Sequence, residues 1–133
     1  MIGVVALVII GSIFGDSGDT NEPTTEKSYQ KIDLQTMLDE LEENALRAES
    51  KYQDAYVEVT GKIAGFDSDG SYITIEPVYA DKWNFDTVMC YIRNDTQKNF
   101  IIEKSVGDKV TIQGKIISVG EFLGYSLNID SIS

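Results

Sequence analysis

Tyr72, Met89, Tyr91 and Arg93 are the residues with which this chain can meet a ligand. Each occupies the position of an alternating segment that faces away from the buried side of a strand. A phenol ring offers a flat face to a base or a sugar. A guanidinium or an ammonium meets an anion, so Arg93 and Lys62 supply the positive charge. Phe122 and Tyr125, in a later hairpin, add two more rings. The competing use of these aromatics is packing against an amphipathic helix earlier in the chain.

Other chemistries are poorly supplied. The 133 residues contain no histidine, which removes Ser-His-Asp and Cys-His catalysis, histidine metal ligation and a histidine pH switch. Cys90 is the single cysteine, so it forms no intramolecular disulfide and no zinc cluster. It lies within an apolar alternation and reads as a buried, inert thiol. Asp67-Ser68-Asp69-Gly70-Ser71 superficially matches the start of a calcium loop, but the later carboxylate ligands are missing. An Asp- and Gly-rich hairpin turn explains it better. Carboxylates abound, yet no spacing singles out a catalytic pair. The expectation is a protein that is not an enzyme and takes no cofactor or metal.

The elements that position the candidate residues are organised by a repeat. Val57-Glu58-Val59-Thr60-Gly61-Lys62-Ile63 recurs as Val110-Thr111-Ile112-Gln113-Gly114-Lys115-Ile116. Both copies alternate at period two and place a glycine where an apolar residue would fall. A glycine there marks a bulge or bend in a curling sheet. Strands are expected at 56–64, 72–78, 87–93, 109–119 and 122–132. Residues 94–107 hold a turn and a short helix packed through Phe100, Ile101 and Ile102. Residues 79–86 form a connection carrying Tyr79, Trp83 and Phe85.

Before the barrel, Asp33 caps a helix expected over 34–52. Leu34, Met37, Leu38, Leu41, Ala45, Ala48 and Tyr52 form its apolar stripe. The fold class is therefore all-β with an added helix: a five-stranded barrel of OB type at 55–133 behind one amphipathic α-helix, together one domain at 32–133.

The remaining sequence is of a different kind. Residues 2–14 are almost wholly apolar, although a spanning helix needs about 20 such residues. The expectation is that residues 1–15 are the end of a longer membrane anchor; a buried core segment is the alternative. Residues 16–31 read as a disordered acidic linker. No Lys or Arg follows the apolar run until Lys27, which places this flank on the outer side of a membrane. Acidic excess is concentrated here: residues 1–54 hold 11 acidic and 4 basic residues, and the whole chain is at −11. That balance disfavours a polyanion.

With the elements in place, the chain resembles the tRNA-anti-like branch of OB-fold proteins over residues 32–132. The resemblance rests on Asn44-Ala45-Leu46-Arg47-Ala48-Glu49-Ser50-Lys51-Tyr52 and Val57-Glu58-Val59-Thr60-Gly61-Lys62-Ile63. Cys90 and Gly107-Asp108-Lys109-Val110-Thr111-Ile112-Gln113-Gly114-Lys115-Ile116 complete it. It implies the fold and, in bacteria, often an extracytoplasmic domain on a membrane or lipid anchor. It implies no established activity.

The expected function is a non-enzymatic binding module on the outer side of a bacterial membrane, its ligand not identified by the sequence; a protein segment or a glycan suits the acidic surface better than a polyanion. The alternative is single-stranded nucleic-acid binding, which needs aromatics beside a basic groove.

Overall fold

The computed structural model describes residues 28–81, 86–120 and 124–133. In chain order they form β1 (Gln30–Lys31), α1 (Leu34–Glu43), α2 (Ala45–Tyr52), β2 (Tyr56–Phe66), β3 (Tyr72–Glu76), β4 (Val88–Tyr91), α3 (Asp95–Ile102), β5 (Lys109–Gly120) and β6 (Gly124–Ile132). The expected anchor at 1–15, most of the expected linker, Trp83, Phe85 and Phe122 lie outside the described residues. Among the described residues no helix is long and apolar enough to cross a membrane.

Five strands close a barrel. The order around it is β2, β3, β4, β6, β5, and β5 returns to β2. Within the barrel all pairings are antiparallel except β4 with β6. Alternation of buried and half-buried residues runs along β2 as far as Ala64 and along all of β3 and β4, because a period of two sends one face inward. The interior is filled by Val57, Val59, Ile63, Ile73, Ile75, Val88, Cys90, Ile112, Ile116 and Leu127, each essentially without exposure. Burial pushes the Cys90 thiol well above its ordinary range, so it stays protonated and unreactive.

The two repeat glycines are forced by close approach of a neighbouring backbone. A Cβ on Gly61 would stand 2.6 Å from the Glu76 carbonyl oxygen and 2.9 Å from Leu34 Cδ2. One on Gly114 would stand 2.2 Å from the Asn128 carbonyl oxygen. The ladder shifts register at Gly114 itself, between Gln113 and Gly114, and on β2 only further along, between Ile63 and Gly65. These irregularities bend long strands so that the sheet can close.

Three sequence expectations are corrected. The helix expected over 34–52 is two helices. Asn44 sits in extended conformation between them, its backbone N–H donating to the Glu40 carbonyl and its side chain accepting the Arg47 N–H at 3.0 Å. An Asn side chain that caps a new first turn outcompetes continuation of the helix. The apolar stripe survives the break, since Leu34, Met37, Leu38, Ala48 and Tyr52 are all buried.

The second correction concerns the end of the expected linker. Gln30 and Lys31 pair in parallel with Val57 and Glu58, and Tyr29 packs edge-on against Tyr56 while its hydroxyl donates to Asp130. The third concerns strand ends: β3 stops at Glu76 and β4 spans only Val88–Tyr91.

Helices plug both ends of the barrel. α1 rests mainly on β2 and α2 on β5, with Met37 and Tyr52 meeting Tyr125 at that end. α3 closes the other end through Ile101 and through Gln97, a buried amide. Gln97 Nε2 donates to the Ile129 carbonyl at 2.9 Å, and its Oε1 accepts the Arg93 N–H at 2.7 Å. The lateral wall of β3 and β4 is left as outer surface.

Candidate nucleic-acid or glycan interface on β3 and β4

The 67–71 turn sets up the wall. Asp67 Oδ2 accepts the Ser71 N–H, the Gly70 N–H bonds to the Asp67 carbonyl, and Gly70 takes φ +76°. This is the hairpin turn expected from its Asp and Gly content. It fixes β3 so that Tyr72, Thr74 and Glu76 alternate outward against inward Ile73 and Ile75.

Three of the seven expected site residues, Tyr72, Met89 and Tyr91, stand together, with Thr74 beside them. Tyr72 is opposite Tyr91, and Thr74 is opposite Met89. The Tyr72 and Tyr91 rings meet edge to face at 6.0 Å between centroids, a favoured aromatic geometry. All four are half-buried. They pack on each other, and the lead-in helices rest elsewhere. The helix takes up a different tyrosine.

That tyrosine is Tyr125, and it is a correction. It is fully buried, its ring meets Tyr52 edge-on at 5.7 Å, and its hydroxyl donates to the Met37 carbonyl at 2.7 Å. Burial holds its phenol above the ordinary range. It has inward parity in β6, with Leu127 and Ile129, so it belongs to the core and leaves the interface. Phe122 lies outside the described residues.

The two expected cations separate. Lys62 is paired in register with Glu76 at the far end of β3, roughly 13 Å along the strand from Tyr72. Its ammonium donates to the Ala80 carbonyl at 2.6 Å and sits 4.0 Å from the Glu76 carboxylate. Its charge is spent on the 77–80 turn. Arg93 is exposed two residues beyond Tyr91, where its backbone N–H is held by Gln97.

The sheet also brings forward residues that the sequence reading passed over. Tyr91 is opposite Asn128, Asn128 opposite Lys115, and Lys115 opposite Tyr56. A second row sets Met89 beside Ser126. The ring–ring pair therefore continues into a carboxamide and an ammonium, with Lys115 about 10 Å around the wall from Tyr91 at two strand spacings. Lys115 is the counterpart of Lys62 in the repeat, which was the available signal. Choosing between them required knowing which strand lies beside β4 and β6.

A half-buried wall of phenols, a thioether, hydroxyls and a carboxamide can stack on planar rings and share hydrogen bonds.

A closed five-stranded mixed barrel with a helix between β4 and β5 is an OB-fold. The chain belongs to the tRNA_anti-like family, whose profile matches residues 1–122.

Among solved structures, a proposed nucleic acid-binding lipoprotein from Klebsiella pneumoniae is similar at a TM-score of 0.56 and 18% identity, over 79% of this chain and 90% of that one. Replication protein A of U. maydis bound to ssDNA is similar at 0.51 and 16% identity, over 82% and 74%. An OBody bound to hen egg-white lysozyme is similar at 0.50 and 20% identity, over 62% and 82%. At these identities the likeness is one of fold. No curated protein sequence matches the chain.

Proposed function

We propose that this chain is a non-enzymatic binding module whose ligand lies across the outer wall of β3 and β4, displayed on the outer side of a bacterial membrane. The observation that carries the reading is the Tyr72–Tyr91 pair, half-exposed on the outer face and continued in register by Asn128 and Lys115. The net charge of −11 favours a ligand without a string of phosphates, such as a glycan or a protein segment. Support for display comes from the apolar run at 2–14, the lack of Lys and Arg from there to Lys27, and the similarity to a lipoprotein.

The second reading is single-stranded nucleic-acid binding. The similarity to replication protein A, crystallised with ssDNA, favours it, as do two stacking rings with Arg93 and Lys115 on either side. Binding of the whole chain to single-stranded DNA and RNA oligonucleotides, at low and high salt, separates the two. Salt-sensitive micromolar binding, lost in Tyr91→Ala, establishes the second reading. No binding at low salt, with capture of an envelope glycan or peptide that Tyr91→Ala abolishes, establishes the first.

Display is tested apart from the ligand. Expressed as the whole chain in a bacterial host, the protein should sediment with membranes and be shaved by external protease. Recovery in the cytosol overturns that part alone.

A further inference from the structure

A second concave surface lies at the α3 end of the barrel, between the 67–71 hairpin and α3. The cleft is about 360 Å³, at the small end of ligand pockets. Its floor is aliphatic: Ile73 and Ile101 are buried and Ile92 is half-buried. Its lips expose apolar surface, with Phe66 43% and Ile102 67% accessible. Large aliphatic and aromatic side chains left in water beside a cavity mark a place where something apolar is to be covered.

The charges at this cleft are arranged unequally. The α3 wall carries Lys98 and Lys104. Among the described residues neither is in an ion pair. Lys104 lies over the Phe100 ring at 4.6 Å, and the Lys98 ammonium reaches toward the hairpin tip, 3.6 Å from where a Gly70 Cβ would stand. The hairpin wall carries Asp67 and Asp69. The Asp67 carboxylate is turned into its own loop by the Ser71 N–H, and Asp69 is at the exposed tip. Other carboxylates stand close by: Asp95 lies one helical turn before Lys98, Glu103 precedes Lys104 in sequence, and the Asp108 carboxylate is turned to the Ser105 N–H. Among the described residues none of them forms an ion pair with either lysine.

We propose that this cleft binds a small amphiphilic carboxylate, its apolar body on Ile73, Ile92, Ile101 and Ile102 and its carboxylate between Lys98 and Lys104. The site is separate from the β3–β4 wall, meets it only at Tyr72, and does not rest on the function proposed above.

The test uses three isosteric probes on the whole chain: 4-phenylbutanoate, 4-phenylbutanamide and 4-phenylbutylamine, followed by backbone amide shifts. The expected result is saturable shifts within 66–73 and 98–104 for the carboxylate, with at least tenfold weaker binding of the amide and the amine. In the double variant Lys98→Gln and Lys104→Gln, the first exposed and the second half-buried over Phe100, the carboxylate should fall to the affinity of the amide while the spectrum away from 98–104 is unchanged. Equal affinity for all three probes overturns the proposal, as does an unaltered preference in the double variant. Shifts centred on Tyr91 and Asn128 overturn it too, because the probe would then sit on the outer wall. So does the absence of any shift up to the solubility of the carboxylate.

Discussion

Lys62 and Lys115 occupy the same place in a repeated motif and are put to different uses. Lys62 clamps the 77–80 turn through the Ala80 carbonyl and faces Glu76. Lys115 sits in the row of Tyr91 and Asn128. If the outer wall contacts an anionic group, Lys115→Ala should weaken that contact by about 1 kcal/mol or more, the scale of a charge-assisted hydrogen bond. Lys62→Ala should act mainly through stability. Titration of both variants with the same ligand, alongside their urea midpoints, separates the effects; equal losses of affinity at unchanged stability would sink the assignment. The glycines differ in the same way. Gly114→Ala presses a methyl against the Asn128 carbonyl and should cost about 3 kcal/mol, the upper end for overpacking. Gly120→Ala meets nothing within 4 Å and should stay within about 0.5 kcal/mol of the parent. A shift in the urea midpoint at constant slope reads both.

At the scale of elements, α3 is held to the barrel by Ile101 in the core and by one buried polar side chain, Gln97. Gln97 bonds the Ile129 and Asp130 carbonyls with its amide nitrogen and the Arg93 N–H with its oxygen. Replacing it by alanine leaves these groups buried and short of partners, so Gln97→Ala should cost about 3 kcal/mol. Amide exchange should rise first in α3 and at residues 129–130; a uniform rise over the barrel would argue that α3 is not an independently docked unit.

The elements themselves were largely legible in sequence. Period-two alternation located all five barrel strands, and the repeat glycines announced the close approaches that the Glu76 and Asn128 carbonyls now explain. The break at Asn44 was not legible from the stripe, because Leu34 to Tyr52 keeps helical spacing straight through it; only the capping tendency of Asn hinted at it. Tyr125 was misplaced for a different reason. It shares the parity of Leu127 and Ile129, so alternation already pointed it inward; it was read as a hairpin residue, and the docking of α1 and α2 over that end of the barrel leaves no local pattern. The Lys115 row depends on strand order and shear, which join residues far apart in sequence and leave no local pattern.

For the whole molecule, the titrating groups that join the helices to one another and the flanking segments to the barrel set the limits of stability at both ends of the pH scale. Glu40 accepts from Lys51 and Tyr52, and these bonds, Lys51 foremost, hold its carboxyl below the ordinary carboxylate range. Its contribution is present above the unfolded pKa near 4.5 and is lost as pH falls through the lower folded value.

The phenols act in the opposite direction. Burial, then the bond to Glu40, raises Tyr52; burial foremost raises Tyr125; and burial with the Asp130 carboxylate raises Tyr29. A group that binds its proton more tightly when folded stabilises fully below its unfolded pKa, here 10.0. Above that pH the unfolded chain ionises while the folded one does not, and stability declines by up to about 1.4 kcal/mol per pH unit for each such phenol.

The net charge of −11 adds self-repulsion in the same direction as pH rises. The urea midpoint should therefore be flat from pH 7 to 9 and fall steeply beyond 10. Tyr125→Phe removes one of these phenols and the bond to the Met37 carbonyl. It should cost about 1 kcal/mol at neutral pH, the usual net value of a hydrogen bond, and it should have a shallower alkaline slope than the parent. Midpoints measured at pH 7, 9, 10 and 11 for both proteins decide it. An alkaline slope as steep in Tyr125→Phe as in the parent would mean that the fold opens around Tyr125 before its phenol ionises, and that the helix–barrel seam is looser than its packing implies.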